Sequence, residues 1–383
     1  MSILVSLTFL AAFFPFLSPV PVNADIQVPF FLLAGFCLVI RLASLKLSSI
    51  SIYLIGLTLW SFANLVEGGY FQQITVVRFA GALVACVFFL NFTKFEYLPI
   101  LVFAIFVNVA GIWAHYLFGE SFVANSISFV RAIKWVGGFN YRGVSGFAPE
   151  PGLSSAIVAG CTILYLSHIR RLSLVQIVFL CFISSALILT RSGSGVLFGT
   201  LCFIYLFLKF GLSSNFASLG YLVALSAVLA VGVNGIDLFG LGRGEIFFKT
   251  LMSPESFVYS DGSIGARVVT PLLAVYELFE NPFGSGIGSY TELAEVRFWE
   301  HGLERFISPA VSLFPINNVG LYVFELGIWF VCFLVLIVIK GFGSLERAVL
   351  TGTGLLLIGS SFSFALPLAW LLVQRGIELG KQK

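Results

Sequence analysis

The sequence predicts an all-α fold: a polytopic helical membrane protein of about 11–12 transmembrane helices with two large loops on one face. Three observations predict it. Hydrophobic residues make up 59% of the 383 and charged residues only 10%, whereas a soluble domain has roughly half and a quarter. The apolar residues run in blocks of about 20, the length that crosses a hydrocarbon core. Lys and Arg concentrate in every second short loop, which the positive-inside rule places together on the cytoplasmic side.

The spans, taken in order, are 3–20, 27–42, 50–66, 74–92, 97–118, 151–168, 172–189, 193–210, 216–236, 318–340 and 347–373. Continuous apolar runs rather than two-residue alternation select helices, which satisfy their own backbone groups in lipid. Val22-Asn23-Ala24 has the form of a signal-peptidase site, but no basic residue precedes Arg41. An uncleaved first span is therefore favoured. Arg41, Lys46, Lys94, Arg170, Arg171, Lys209, Lys340 and Arg347 mark the inner face. Eleven passes would leave Arg375, Lys381 and Lys383 outside. Because 347–373 contains Gly359-Ser360-Ser361 and Pro367, the sequence favours a hairpin there and twelve passes. The chain thus divides into spans over 1–118, an outer loop at 119–150, spans over 151–236, a larger outer loop at 237–317, and C-terminal spans with a tail over 318–383.

Composition also excludes functions. A formal charge of +3 is too small to argue for nucleic acid. Cys37, Cys86, Cys161, Cys181, Cys202 and Cys332 all sit in apolar runs without a CxxC pair or ligand spacing, so they read as packing residues, and no metal or other cofactor is expected.

The two outer loops, with Arg191 between two spans, hold nine of the 21 basic residues: Arg131, Lys134, Arg142, Arg191, Arg243, Lys249, Arg267, Arg297 and Arg305. Solvated loop charge explains any one of them. Recognition of an anion explains the group, since Arg offers a planar, permanently charged donor. In the first loop Phe122, Phe129, Val130 and Ile133 share a helical face and Arg131 and Lys134 another, with Trp135 following. That pattern suits a helix lying in the membrane interface. Tyr141-Arg142 then leads to Phe147-Ala148-Pro149-Glu150-Pro151-Gly152. Pro151 can start a helix, so Glu150 would sit where the macrodipole favours an anion. Arg191, in Thr190-Arg191-Ser192-Gly193-Ser194-Gly195, and Arg78, inside the fourth span, need a partner, water or snorkelling.

In the second loop an amphipathic helix is expected from Pro271, then Asn281-Pro282-Phe283-Gly284-Ser285-Gly286-Ile287-Gly288. Its alternate glycines admit close approach of a phosphate but match no nucleotide fingerprint; a plain glycine turn is the simpler reading. The charged stretch Glu292 to Arg305 reads as a solvated face.

Together, Arg142-x-x-x-Gly146-Phe147-x-Pro149-Glu150-Pro151-Gly152, Ser192-Gly193-Ser194-Gly195, and Arg267 ahead of the glycine run resemble the O-antigen and exopolysaccharide polymerase family. These enzymes are related to O-antigen ligases and similar to membrane glycosyltransferases of the C superfamily. The resemblance covers the order of spans and loops over most of the chain, with specific matches in about 40 residues. It implies a metal-independent glycosyltransferase at the periplasmic face of the bacterial inner membrane. Such an enzyme transfers a growing glycan from polyprenyl diphosphate to a lipid-linked repeat unit. It further implies that Arg142, Arg191 and Arg267 bind the diphosphate, and that Arg142 and Arg267 act in catalysis with Glu150, the general base or an Arg-holding group. Arg131, Lys134, Tyr141, Arg243 and Asn317 are further substrate-binding candidates. The implied partners are an undecaprenyl-diphosphate-linked oligosaccharide, membrane lipids and a chain-length regulator, with no nucleic acid. Ligases usually show a His-Asn pair before a span; here Ile316-Asn317-Asn318 precedes Glu325-Leu326-Gly327, which favours polymerase. A lipid-linked glycan flippase is the alternative of another class.

Overall fold

A computed structural model describes residues 1–15, 27–63, 70–119, 143–148, 150–190, 192–211, 262–305, 317–359 and 364–380. The described chain is all-helical, with fourteen α-helices. In chain order they are α1 (Ser2–Phe13), α2 (Val28–Ile40), α3 (Ser49–Ala63), α4 (Tyr70–Asn91), α5 (Leu98–Phe118), α6 (Pro151–His168) and α7 (Leu174–Leu189), followed by α8 (Gly193–Leu206), α9 (Gly262–Glu280), α10 (Tyr290–Glu300), α11 (Asn318–Leu326), α12 (Ile328–Gly341), α13 (Leu345–Gly359) and α14 (Pro367–Glu378). Two stretches, Gln73–Asn91 and Leu98–Phe118, are long and apolar enough to cross a membrane. Several shorter helices are similarly apolar. The expected span at 216–236 and the interfacial helix at 121–135 lie outside the described residues.

Two helices form the centre. From Ser154 to Ser167, α6 is buried on every side, and α14 is buried through nearly all its length. A helix apolar all round belongs inside a bundle. Small residues set how closely these helices meet. A Cβ on Gly160 would touch Leu357, Leu368 and Leu372, and one on Gly354 would press on the Ala369 carbonyl and Val373. Aromatic rings fill the rest: Phe79, Tyr322, Phe330, Phe333 and Trp370 surround Phe364. The Trp370 indole N–H donates to the Phe364 carbonyl at 2.8 Å, which removes the cost of burying it.

The expected C-terminal hairpin is present. Helices α13 and α14 run antiparallel, with Gly354 against Ala369 and Gly376 against Thr351. At one end of the bundle, the Lys209 ammonium caps α6 by donating to the carbonyls of Leu166 and Ser167, both at 2.8 Å, and pairs with Glu346 at 3.4 Å. Arg375 donates to Ser167 Oγ at 3.3 Å, and His168 meets the Tyr97 hydroxyl at 2.9 Å. Arg41 and Lys46 both bond Asn91. The basic loops and the end of α14 therefore share this end.

Three expectations need correction. The stretch 318–340 is not one helix: it breaks at Gly327, whose φ is +56°. Pro271 does not start a helix but lies inside α9, and Gly320 of α11 comes close to its backbone. Cys181 and Cys332 are exposed, while the other four cysteines are buried.

Candidate active site at the starts of α6 and α8

At the end of the bundle opposite Arg375, residues 143–148 lead into α6. Gly146 has φ +59°, a conformation that glycine adopts without strain, and a Cβ there would press on the backbone of Gly111 and Ile112. Gly111 in turn leaves room for the Phe147 ring. The amides of Ser145 and Gly146 both donate to Nδ1 of buried His115, each at 3.2 Å. The Val144 amide donates at 3.2 Å to the carbonyl of Leu189, the last residue of α7.

Pro151 opens α6 and Glu150 is its N-cap residue. The Glu150 carbonyl accepts from Leu153 and Ser154, but its exposed side chain makes no capping hydrogen bond. Side-chain capping therefore does not account for this carboxylate, which stands at the positive end of the helix dipole. Helix α8 begins alongside. Ser192 Oγ accepts from the Gly195 amide at 2.9 Å and lies 3.1 Å from Ser155 Oγ, and Gly152 faces Ser194. Two helix starts, each with partial positive charge, are thus side by side.

Arg142 and Arg191 lie outside the described residues, as do Arg131, Lys134, Tyr141 and Arg243. Along the chain, however, Arg142 and Arg191 are each two residues from the Val144–Leu189 bond. Arg267 belongs to α9, which packs on α10 and α11. Asn317 is the N-cap of α11: its Oδ1 accepts from the Gly320 amide at 2.9 Å.

A second cluster forms where the glycine run meets the α11–α12 break. Gly284, Gly286 and Gly288 have φ of +85°, +95° and +86°. Their amides are all engaged within the protein: Gly284 with the Asn281 carbonyl at 2.8 Å, Gly286 with the Glu325 carbonyl at 3.0 Å, and Gly288 with Glu325 Oε1 at 2.9 Å. The Ile328 amide, released by the break, donates to the Pro282 carbonyl at 2.7 Å. The run is therefore a turn built around buried Glu325, and the phosphate-cradle reading fails. Arg78, half-buried on α4, lies near the buried side chains of Tyr322 and Glu325.

Beside this turn, buried Glu277 on α9 accepts from Asn281 Nδ2 and Ser285 Oγ and pairs with Arg297 Nε at 3.0 Å. Arg297 also reaches Glu280 at 3.0 Å and Glu300 at 2.9 Å. Burial opposes its charge, but Glu300, Glu277 and Glu280 outweigh burial and raise its pKa. Tyr290 donates to Thr270 Oγ1 at 3.1 Å, and burial pushes its hydroxyl up to about 12. The stretch after Glu292 is accordingly no plain solvated face, because Arg297 ties α10 to α9. Among the described residues no group of three or more His, Cys, Asp or Glu is arranged to hold a metal ion.

No family model, curated protein or solved structure matches the chain. Sequence reasoning passed over His115, Glu277 and the buried role of Glu325. Glu325 did carry a signal, since a carboxylate inside an apolar run is costly without partners. A lone His ending an apolar helix and a Glu on an amphipathic one carry none.

Proposed function

We propose that this chain is a multi-pass glycosyltransferase of the bacterial inner membrane, of the O-antigen or exopolysaccharide polymerase kind. It transfers a growing glycan from undecaprenyl diphosphate to a lipid-linked repeat unit at the periplasmic face. The observation that carries the reading is the Val144–Leu189 hydrogen bond. It joins the segment after Arg142 to the segment before Arg191, next to Glu150 and the paired starts of α6 and α8. Two guanidiniums and two helix starts suit a diphosphate leaving group, whose growing charge needs fixed positive partners in the transition state. Glu150, with no capping bond to hold it, is available to take the acceptor hydroxyl proton. Arg267 would join them from α9. The end of α14 beside the basic loops supports twelve passes, with both termini in the cytoplasm and residues 119–150 and 237–317 in the periplasm.

One observation favours the flippase reading, since transporters use broken helices and the chain breaks at Gly327. The glycine turn, however, accounts for that break by satisfying its backbone groups. The deciding experiment incubates purified protein with lipid-linked repeat units. A ladder of lengthened lipid-linked products is expected. Transfer of the glycan to another lipid acceptor would favour ligase, and translocation without a ladder would favour a flippase.

A further inference from the structure

Buried His115, at the end of α5, faces the backbone of the segment that carries the site. The amides of Ser145 and Gly146 share one ring nitrogen, Nδ1, at 3.2 Å each. An imidazole nitrogen accepts only through its lone pair, so Nδ1 carries no proton and Nε2 does. Around this contact the segment is held on each side. Val144 is bonded to Leu189, the Phe147 ring lies on Gly111, and the Gly146 backbone rests on Ile112. Val144, Ser145 and Ala148 are buried, yet two residues later Glu150 is exposed. The segment is therefore anchored just before the carboxylate it delivers.

We propose that His115 is a positioning residue: as a neutral imidazole protonated on Nε2, it holds residues 143–148 against α5 and so sets where Glu150 stands at the start of α6. The assignment of a catalytic consequence rests on the glycosyltransferase reading above, while the anchoring itself does not. Displacing a catalytic group by about an ångström costs on the order of a hundredfold in rate. Loss of the anchor should thus lower the turnover rate much more than it changes the apparent affinity for lipid-linked donor.

The test uses the full-length protein in detergent micelles and four forms: wild type, His115→Ala, His115→Asn and His115→Gln. An Asn amide places its oxygen near the position of Nδ1, whereas Gln reaches the position of Nε2. Hydrogen exchange at the Ser145 and Gly146 amides reads the anchor, and the rate of chain lengthening reads its consequence. The expected result is loss of amide protection and on the order of a hundredfold slower lengthening in His115→Ala, both substantially restored by Asn and not by Gln. Unchanged protection in His115→Ala, or an Asn variant no better than Gln, overturns the anchor. Lost protection with lengthening unchanged overturns the positioning role. If the wild type itself makes no ladder, the glycosyltransferase reading fails, and amide exchange alone still decides whether His115 holds the segment.

Discussion

Glu325 and Gly288, 37 residues apart, are joined by a 2.9 Å hydrogen bond from the Gly288 amide to a buried carboxylate. The same residue's carbonyl accepts from Gly286. One acidic residue therefore ties the glycine turn, through its side chain and its carbonyl, to the point where the chain breaks between α11 and α12. This gives Glu325 a structural purpose independent of any chemistry.

Removing that carboxylate should be costly. Glu325→Ala leaves the Gly288 amide without its acceptor, and an unsatisfied buried donor costs about 1–3 kcal/mol. Glu325→Gln keeps an acceptor for Gly288 and should lose clearly less. Thermal unfolding of the purified variants in detergent checks this, and an Ala variant as stable as wild type would refute the tie.

The glycines should sort by their surroundings. A Cβ on Gly284 would collide with the Glu325 carbonyl, and one on Gly327 with the Pro282 carbonyl, each at positive φ. Ala at either should destabilise strongly. Gly286 has open space but φ +95°, so Gly286→Ala should cost only the backbone strain, about 1–2 kcal/mol. Gly56, inside α3 with nothing nearby, should accept Ala with a neutral effect or a gain of up to about 1 kcal/mol. Equal losses across the four would show that the turn is not closely packed.

On the proposed activity, Arg142→Ala and Arg191→Ala should each insert and fold yet lose two to three orders of magnitude in rate, roughly the effect of removing one transition-state donor. Lys at either should be intermediate, because it keeps charge without the two-pronged grip. Because the segments next to them are bonded through Val144 and Leu189, the double variant should fall short of the product of the single losses. Arg267→Ala should also be severe, and Arg305→Ala mild. Lengthening assays on equally expressed variants decide it: full activity in two of the three Arg→Ala proteins removes the diphosphate clamp.

The twelve-pass arrangement predicts that cysteines placed near Ser128 and Ser256 react with an impermeant reagent added outside intact cells. A cysteine after Lys381 should react only once the membrane is opened. Labelling of the tail from outside would return the count to eleven.

Local features of the sequence were enough for the helical class, most helix positions, the start of α6 at Pro151 and the C-terminal hairpin between Gly359 and Pro367. These depend on hydrophobic run length, on proline's fixed φ and on residues close together in the chain. The break at Gly327 was not legible, because it interrupts an otherwise continuous apolar run and is satisfied by carbonyls and amides of a turn more than thirty residues earlier. The same holds for His115 with Gly146. The glycine run was legible as a turn, but only the tertiary structure decided that its amides serve Glu325 and its neighbours rather than a ligand. Apolar run length determines which stretches become helices; which polar groups then meet depends on how those helices pack, and burial forces most such groups to find a partner.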